Sequence, residues 1–171
     1  MKFGVCPLNK SAEGAVLAHS LRTASETFRK GRVLTKDDIA QLQAAGYRET
    51  TLVRLEPDDI TEDIAAQKMA DAVVADTTVS LGAAGTGRVN IYAAVRGLFV
   101  LPVDRLNAIN AIDEAVTLST IEPFASVEPG QLVATVKIIP FAVRQDTLSA
   151  CETAAKRVKG LFRIAEYRPQ K

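Results

Sequence analysis

The spacing of apolar residues changes period along this chain, and each change marks an element. Residues 2–5 and 15–21 alternate as short strands, with Ser11-Ala-Glu-Gly14 supplying the bend between them. Runs 27–29 and 32–34 flank Lys30-Gly31, where a glycine permits the positive φ of a tight reversal, which predicts a hairpin. Thr35 stands at an N-cap position with Asp38 three residues on. Ile39, Leu42 and Ala45 then recur at helical spacing until Gly46 offers a left-handed stop. Residues 50–55 read as a strand ended by Pro57-Asp-Asp59. A second helix is predicted over residues 61–73. Glu62 and Asp63 in its first turn complement the helix dipole, and Ala65, Met69, Ala72 and Val73 form a narrow stripe suited to lying flat on a sheet.

Leu81-Gly-Ala-Ala-Gly-Thr-Gly-Arg88 interrupts the regular pattern and leads into two runs with strand character, 88–94 and 98–103, joined by Val95-Arg-Gly97. Asp104 is placed to cap a short helix carrying Leu106 and Ile109, after which 115–121 and 131–139 read as strands around the Glu128-Pro-Gly130 turn. A last helix over residues 146–159 sets Leu148, Cys151, Ala155 and Val158 on one face. Lys156, Arg157 and Lys159 fall in its final turn, Gly160 is its stop, and residues 161–167 close the chain as a strand. This order predicts an α+β fold in two lobes. Residues 1–78 form an N-terminal α/β hairpin–helix lobe, 79–143 a β-rich, barrel-sandwich-like lobe, and 144–171 a helix and strand leading toward a further domain. Regular alternation of parallel strands and helices is absent, which excludes a doubly wound dinucleotide-binding pattern.

Composition removes several function classes. With 21 basic and 20 acidic residues the formal charge is +1, so the chain lacks the net positive field that drives binding to nucleic acid or anionic membrane, and neither partner is expected. No apolar run approaches the roughly 18 residues of a membrane span, and no basic stretch precedes an apolar signal core, so a cytoplasmic location is expected. Cys6 and Cys151 lie far apart without a Cys-x-x-Cys partner, which predicts free thiols. His19 is the only histidine, so a multi-histidine metal centre within one chain is excluded.

Few residues remain that could carry chemistry. Gly82-Ala-Ala-Gly-Thr-Gly87 with Arg88 invites a phosphate-loop reading, but such a loop needs a helix directly after the glycines and a Gly-Lys-Ser/Thr ending, and a strand follows here; a flexible turn between lobes is expected. His19 could shuttle a proton, although a buried, hydrogen-bonded strand histidine is the expectation. Arg29, Lys30 and Arg32 form a basic cluster at the predicted hairpin tip, suited either to a phosphate or to solvent. Asp58, Asp59, Glu62 and Asp63 are dense enough for a hard cation, yet their place at a helix start gives them a structural role without one. Asn107 and Asn110, three apart on the short helix, could hydrogen-bond a polar ring, with capping and loop bonding as the plainer reading. Lys137 sits within an apolar run and lacks the Met-Lys-Met setting of a biotin or lipoyl carrier lysine, so covalent carrier function is not expected.

Taken in order, Ala12-Glu-Gly-Ala-Val-Leu-Ala-His-Ser20, Lys30-Gly-Arg-Val-Leu-Thr-Lys-Asp-Asp-Ile39, Glu62-Asp-Ile-Ala-Ala66, Gly87-Arg-Val-Asn90, Asp104-Arg-Leu-Asn-Ala-Ile-Asn110 and residues 127–140 resemble the N-terminal region of molybdopterin-binding proteins related to molybdopterin molybdotransferase. The resemblance implies a non-catalytic accessory module in molybdenum cofactor biosynthesis, partnered by a downstream molybdopterin-binding domain of the same protein. Some relatives carry a fused nucleotidyltransferase similar to molybdenum cofactor guanylyltransferases. The Thr-Gly-Asn/Asp-Glu segment and Gly-Gly-Thr/Ser loop of the binding domain have no counterpart here, so no cofactor is assigned to this region; molybdopterin is implied for the full-length protein only. The alternatives are a free-standing interaction or dimerisation adaptor, with a homodimer among the partners considered, or part of a nucleotidyltransferase fusion. No catalytic or metal residue is assigned, and Lys30, Arg88, Asn90, Asn107, Asn110 and His19 are the candidate ligand-binding residues.

Overall fold

The computed structural model describes residues 1–156 and 161–169, and these form an α+β fold divided into two compact units, Met1–Asp59 and Ile60–Lys171. The helix expected over 61–73 belongs with the second unit rather than the N-terminal lobe, because its small-residue stripe packs on strands from that unit.

In the first unit, strand β1 (Lys2–Pro7) precedes a 3₁₀ turn at Lys10–Ala12 and strands β2 (Val16–Leu17), β3 (Leu21–Arg22) and β4 (Thr27–Phe28). Helix α1 (Lys36–Ala44) and strand β5 (Glu49–Arg54) follow, and the sheet order is β1-β5-β2 with antiparallel neighbours. Helix α1 starts as the sequence predicts. The Thr35 hydroxyl accepts the Asp38 N–H, and the Asp38 carboxylate accepts the Thr35 N–H at 3.0 Å, a reciprocal capping box. Gly46, at φ 93°, ends it and turns Tyr47 N–H back onto the Leu42 carbonyl. Leu8, Leu17, Phe28, Leu34, Leu42 and Leu52 meet in this unit's core.

The predicted hairpin is wrong in its pairing. Segment 27–28 pairs back onto 21–22, with the tip at Thr23–Glu26, while segment 32–34 runs beside 14–17: Leu17 N–H donates to Arg32 C=O, and Leu34 N–H to Ala15 C=O. Residues 15–34 thus make one long irregular hairpin. Lys30-Gly31, with Gly31 at φ 86°, is a bulge in its returning arm and not its tip. The expected 15–21 strand is broken for the same reason, since its two ends pair with different stretches of the return arm.

Strand β6 (Asp59–Thr61) carries the chain across the division and leads into helix α2 (Glu62–Val73). Strands β7 (Val79–Leu81), β8 (Arg88–Ala93) and β9 (Gly97–Val100) follow, then helix α3 (Val103–Asn110), β10 (Val116–Thr120), β11 (Ser126–Val127), β12 (Leu132–Ile138), β13 (Ala142–Arg144), helix α4 (Gln145–Lys156) and β14 (Arg163–Glu166). The main sheet runs β10-β12-β8-β7, all antiparallel, and a second runs β11-β9-β14. Although only Ala94–Arg96 separates them, β8 and β9 enter different sheets. Helix α3 is capped by Pro102 with no side-chain bond, so Asp104 lies in the first turn and is not the cap. The expected stop of the last helix at Gly160, with Arg157, Val158 and Lys159 before it, lies outside the described residues.

One face of the main sheet makes the core: Val89, Ile91, Val136 and Ile138 are fully buried and meet Ala65, Ala66 and Met69 of α2. Apolar surface removed from water contributes about 25 cal/mol per Å², so burying these side chains stabilises the helix-on-sheet layer. The opposite face is left open.

Candidate functional site

That open face follows from strand alternation. In β8, Arg88, Asn90 and Tyr92 alternate with buried Val89, Ile91 and Ala93, and the neighbouring strands are in step. Thr117, Lys137 and Arg88 form one cross-strand row; Ser119, Thr135 and Asn90 form the next; Ser80 stands opposite Tyr92. The result is a polar surface with two cations at one end and a phenol at the other.

Two of the predicted residues therefore share a surface. Asn90 is held there from both sides: its Oδ1 accepts the Thr135 hydroxyl at 3.1 Å, and its Nδ2 donates to the Tyr92 oxygen at 3.3 Å. Arg88 is exposed and lies directly opposite Lys137, whose ammonium donates to the Thr86 carbonyl. The lysine of the apolar run thus works as a tether for the glycine-rich loop.

That loop is ordered against helix α2 rather than slack. Gly87, at φ 68°, donates its N–H to Asp63 Oδ1 at 2.6 Å and accepts the Ile138 N–H at 2.7 Å. A Cβ at this position would stand 2.8 Å from both Glu62 Oε2 and the Ile138 carbonyl. Where a phosphate loop offers N–H groups to an anion, this one gives its Gly87 N–H to the chain's own carboxylate, with a second carboxylate alongside. The expectation of a flexible turn between lobes is corrected accordingly. The loop lies inside the second unit, pinned at both ends.

The remaining candidates do different work. Asn110 clamps strand β10, its Nδ2 donating to Leu118 C=O at 2.9 Å and its Oδ1 accepting Leu118 N–H at 2.8 Å. Asn107 is exposed on α3 and does not share that clamp. His19, expected to be buried in a strand, is exposed in the bend after β2. The hairpin arms bring it beside the Lys30 bulge, where Lys30 N–H donates to Ser20 Oγ at 2.9 Å. His19 and Lys30 belong to the first unit and the other four candidates to the second.

The basic cluster is divided by its own chemistry. The Arg32 guanidinium donates to Asp38 Oδ1 at 2.5 Å and to Glu26 at 3.3 Å, with its carbon 4.6 Å from the Phe28 ring centre. The hydrogen bond to Asp38 raises the Arg32 pKa. Burial works against the Asp38 charge, but bonds from the Thr35 N–H and Arg32 outweigh it and hold this carboxyl below its ordinary value. Nothing in the sequence other than the capping-box spacing pointed to this role.

No group of three His, Cys, Asp or Glu residues among the described residues is placed to hold a metal ion. In the acidic run, Asp59 takes the Met1 ammonium at 2.8 Å and Asp63 takes Gly87. Cys151 is fully buried, and desolvation, with Asp113 nearby, pushes its pKa up to about 11, so the reactive thiolate is suppressed. Two surface grooves were not foreseen. One of about 510 Å³ beside α1 is lined by Lys10, Glu13, Lys36 and Ile39. Another of about 490 Å³ lies beside Leu98 and Tyr167, where Arg96 stacks 5.6 Å over the Tyr167 ring and pairs with Glu128 at 3.1 Å.

A family model described as a domain of unknown function, DUF8806, matches residues 9–54, which fall wholly within the first compact unit. No curated protein and no solved structure matches the chain. No helix among the described residues is long and apolar enough to cross a membrane.

Proposed function

We propose that this chain is a non-catalytic supporting module of a molybdopterin-binding protein in molybdenum cofactor biosynthesis, positioning a pterin-binding domain downstream of it. One observation carries the reading: polar side chains that could have formed a reaction centre are engaged as braces. Asn110 holds β10, Asp63 holds the glycine-rich loop, Asn90 ties two strands together, and Asp38 caps α1 while gripping Arg32. A positioning role asks for this rigidity, since a partner domain is oriented only as well as the elements that carry it.

The purified chain, given molybdopterin with molybdate or with a nucleoside triphosphate, is expected to show no turnover. Joined through Lys171 to a pterin-binding domain, it is expected to raise that domain's activity above the domain's own. Turnover by the chain alone, or a joined domain no more active than the free one, sinks the proposal.

A further inference from the structure

Strand β1 lies at the edge of its sheet, and its register fixes which backbone groups face outward. Leu8 N–H donates to Arg48 C=O, and Ala18 N–H donates to the Thr51 carbonyl on the far side of β5. In an antiparallel ladder the direction alternates, so Lys2, Gly4 and Cys6 bond to β5, opposite Arg54, Leu52 and Thr50. Phe3 and Val5 therefore point their N–H and C=O groups away from the sheet. Pro7, the third outward residue, has no N–H, and its carbonyl accepts from Asn9.

The side chains of these two residues are also uncovered. Phe3 is 59% and Val5 64% exposed, and both lie on the face that carries Val53, Val16 and Val33. Edge strands are ordinarily guarded by charge, proline or a bulge. Here the only charged side chain on β1, Lys2, points to the other face, and Pro7 guards only the last residue.

We propose that β1 pairs antiparallel with β1 of a second copy about a two-fold axis through Gly4, joining two sheets into one. The occupant follows from the register. A two-fold perpendicular to the sheet requires paired residue numbers with an even sum, and hydrogen-bonded pairs must join outward residues of both strands. Centring on Phe3 would set Val5 against Met1, whose ammonium is held by Glu56 and Asp59. Centring on Val5 would set Phe3 against Pro7, which cannot donate. Only the Gly4 axis sets Phe3 opposite Val5 of the second copy and Val5 opposite its Phe3. All four outward donors and acceptors on each strand are then bonded, and the four exposed apolar side chains stack on one face. At the axis, the two glycines offer no obstruction, since even a Cβ at Gly4 meets nothing within 4 Å. This interface is independent of the proposed supporting role and stands or falls without it.

Sedimentation of the full chain over a range of concentrations tests the proposal. A monomer–dimer equilibrium is expected, and Val5→Lys, which sets an ammonium against Phe3 twice per dimer, should weaken it at least about tenfold. In a Cys6→Ser background, Gly4→Cys should oxidise to a covalent dimer, because Cα atoms of a central non-hydrogen-bonded pair sit about 4.5 Å apart, within disulfide reach. A chain that stays monomeric throughout, whether or not it captures a strand from another protein, overturns the proposal, as does a dimer indifferent to Val5→Lys. A dimer sensitive to Val5→Lys that forms no cross-link at position 4 overturns the two-fold register.

Discussion

Asn110 holds Leu118 by both of its backbone groups, the side-chain amide standing in for a neighbouring strand at the edge of β10. Leu118 is nearly fully buried, so neither its N–H nor its C=O has ready access to water if the clamp is lost. Asn110→Ala is therefore expected to cost about 1–3 kcal/mol of stability, the usual penalty for orphaning buried polar groups. Asn110→Asp should cost at least as much, since a carboxylate can accept from the N–H but faces the carbonyl with no donor. Chemical denaturation of the two variants checks this, and Asn107→Ala, at an exposed position, should leave the midpoint unchanged.

The contrast between these asparagines shows what could be read from the chain. Local signals survived. The Thr35–Asp38 spacing gave the capped start of α1, Gly46 its end, and the small-residue stripe of α2 the face that meets the sheet. The strand expected over 88–94 is likewise present, and its alternation puts Arg88 and Asn90 on one surface. Pairings set by distant residues did not survive. Gly31 with a positive φ fits a hairpin tip and a bulge equally, and only the bonds from 32–34 to 14–17 distinguish them. Three-residue spacing suggested that Asn107 and Asn110 act together, while the strand that engages Asn110 alone begins beyond the helix.

Gly87 gives a second, sharper contrast. Alanine there must adopt φ 68° and place its Cβ 2.8 Å from the Ile138 carbonyl, which is backbone and cannot step aside. Gly87→Ala is expected to destabilise by about 2 kcal/mol or more, from left-handed strain together with displacement of the loop from Asp63. Gly85→Ala, two residues earlier with open space at its Cβ, should change stability by less than about 1 kcal/mol. Thermal unfolding of the pair reports the difference directly.

Acid should loosen the first unit through Asp38. Its carboxyl pKa lies below the ordinary aspartate value in the folded chain. Burial opposes the charge, while the Thr35 and Arg32 bonds favour it more strongly. A depressed carboxyl contributes stability that is present above the unfolded pKa and lost as pH falls through the folded one. Stability is accordingly expected to be flat near neutrality on this account and to fall below about pH 4. Asp38→Asn should start lower at pH 7, with Glu26 left as the only carboxylate partner described for Arg32, and lose less on acidification. A urea midpoint measured from pH 7 to pH 2 separates the two curves, and parallel curves would refute the assignment.

The cation pair on the open face predicts an effect of opposite sign. Arg88 and Lys137 are directly opposite on adjacent antiparallel strands, an arrangement that is unfavourable for like charges by a few tenths of a kcal/mol to about 1 kcal/mol. Lys137 is held by its bond to Thr86, so the repulsion is best relieved at Arg88. Arg88→Gln is expected to raise stability slightly at low salt, with the gain shrinking as salt screens the pair. A loss of stability instead would mean that Arg88 contributes to folding.

The two thiols should respond to reagent in opposite ways. Cys6 is half-exposed, whereas Cys151 is fully buried on α4 and its pKa is pushed up to about 11 by desolvation and by Asp113. Because the thiolate is the reacting species, native protein at pH 8 should consume one equivalent of a disulfide reagent promptly and the second only on unfolding. The slow phase then reports opening of the helix-on-sheet layer of the second unit, so Gly87→Ala and Asn110→Ala should both accelerate it. The first phase belongs to the first unit and should be indifferent to either change. Prompt reaction of both thiols in the native chain would show that α4 does not seal this core.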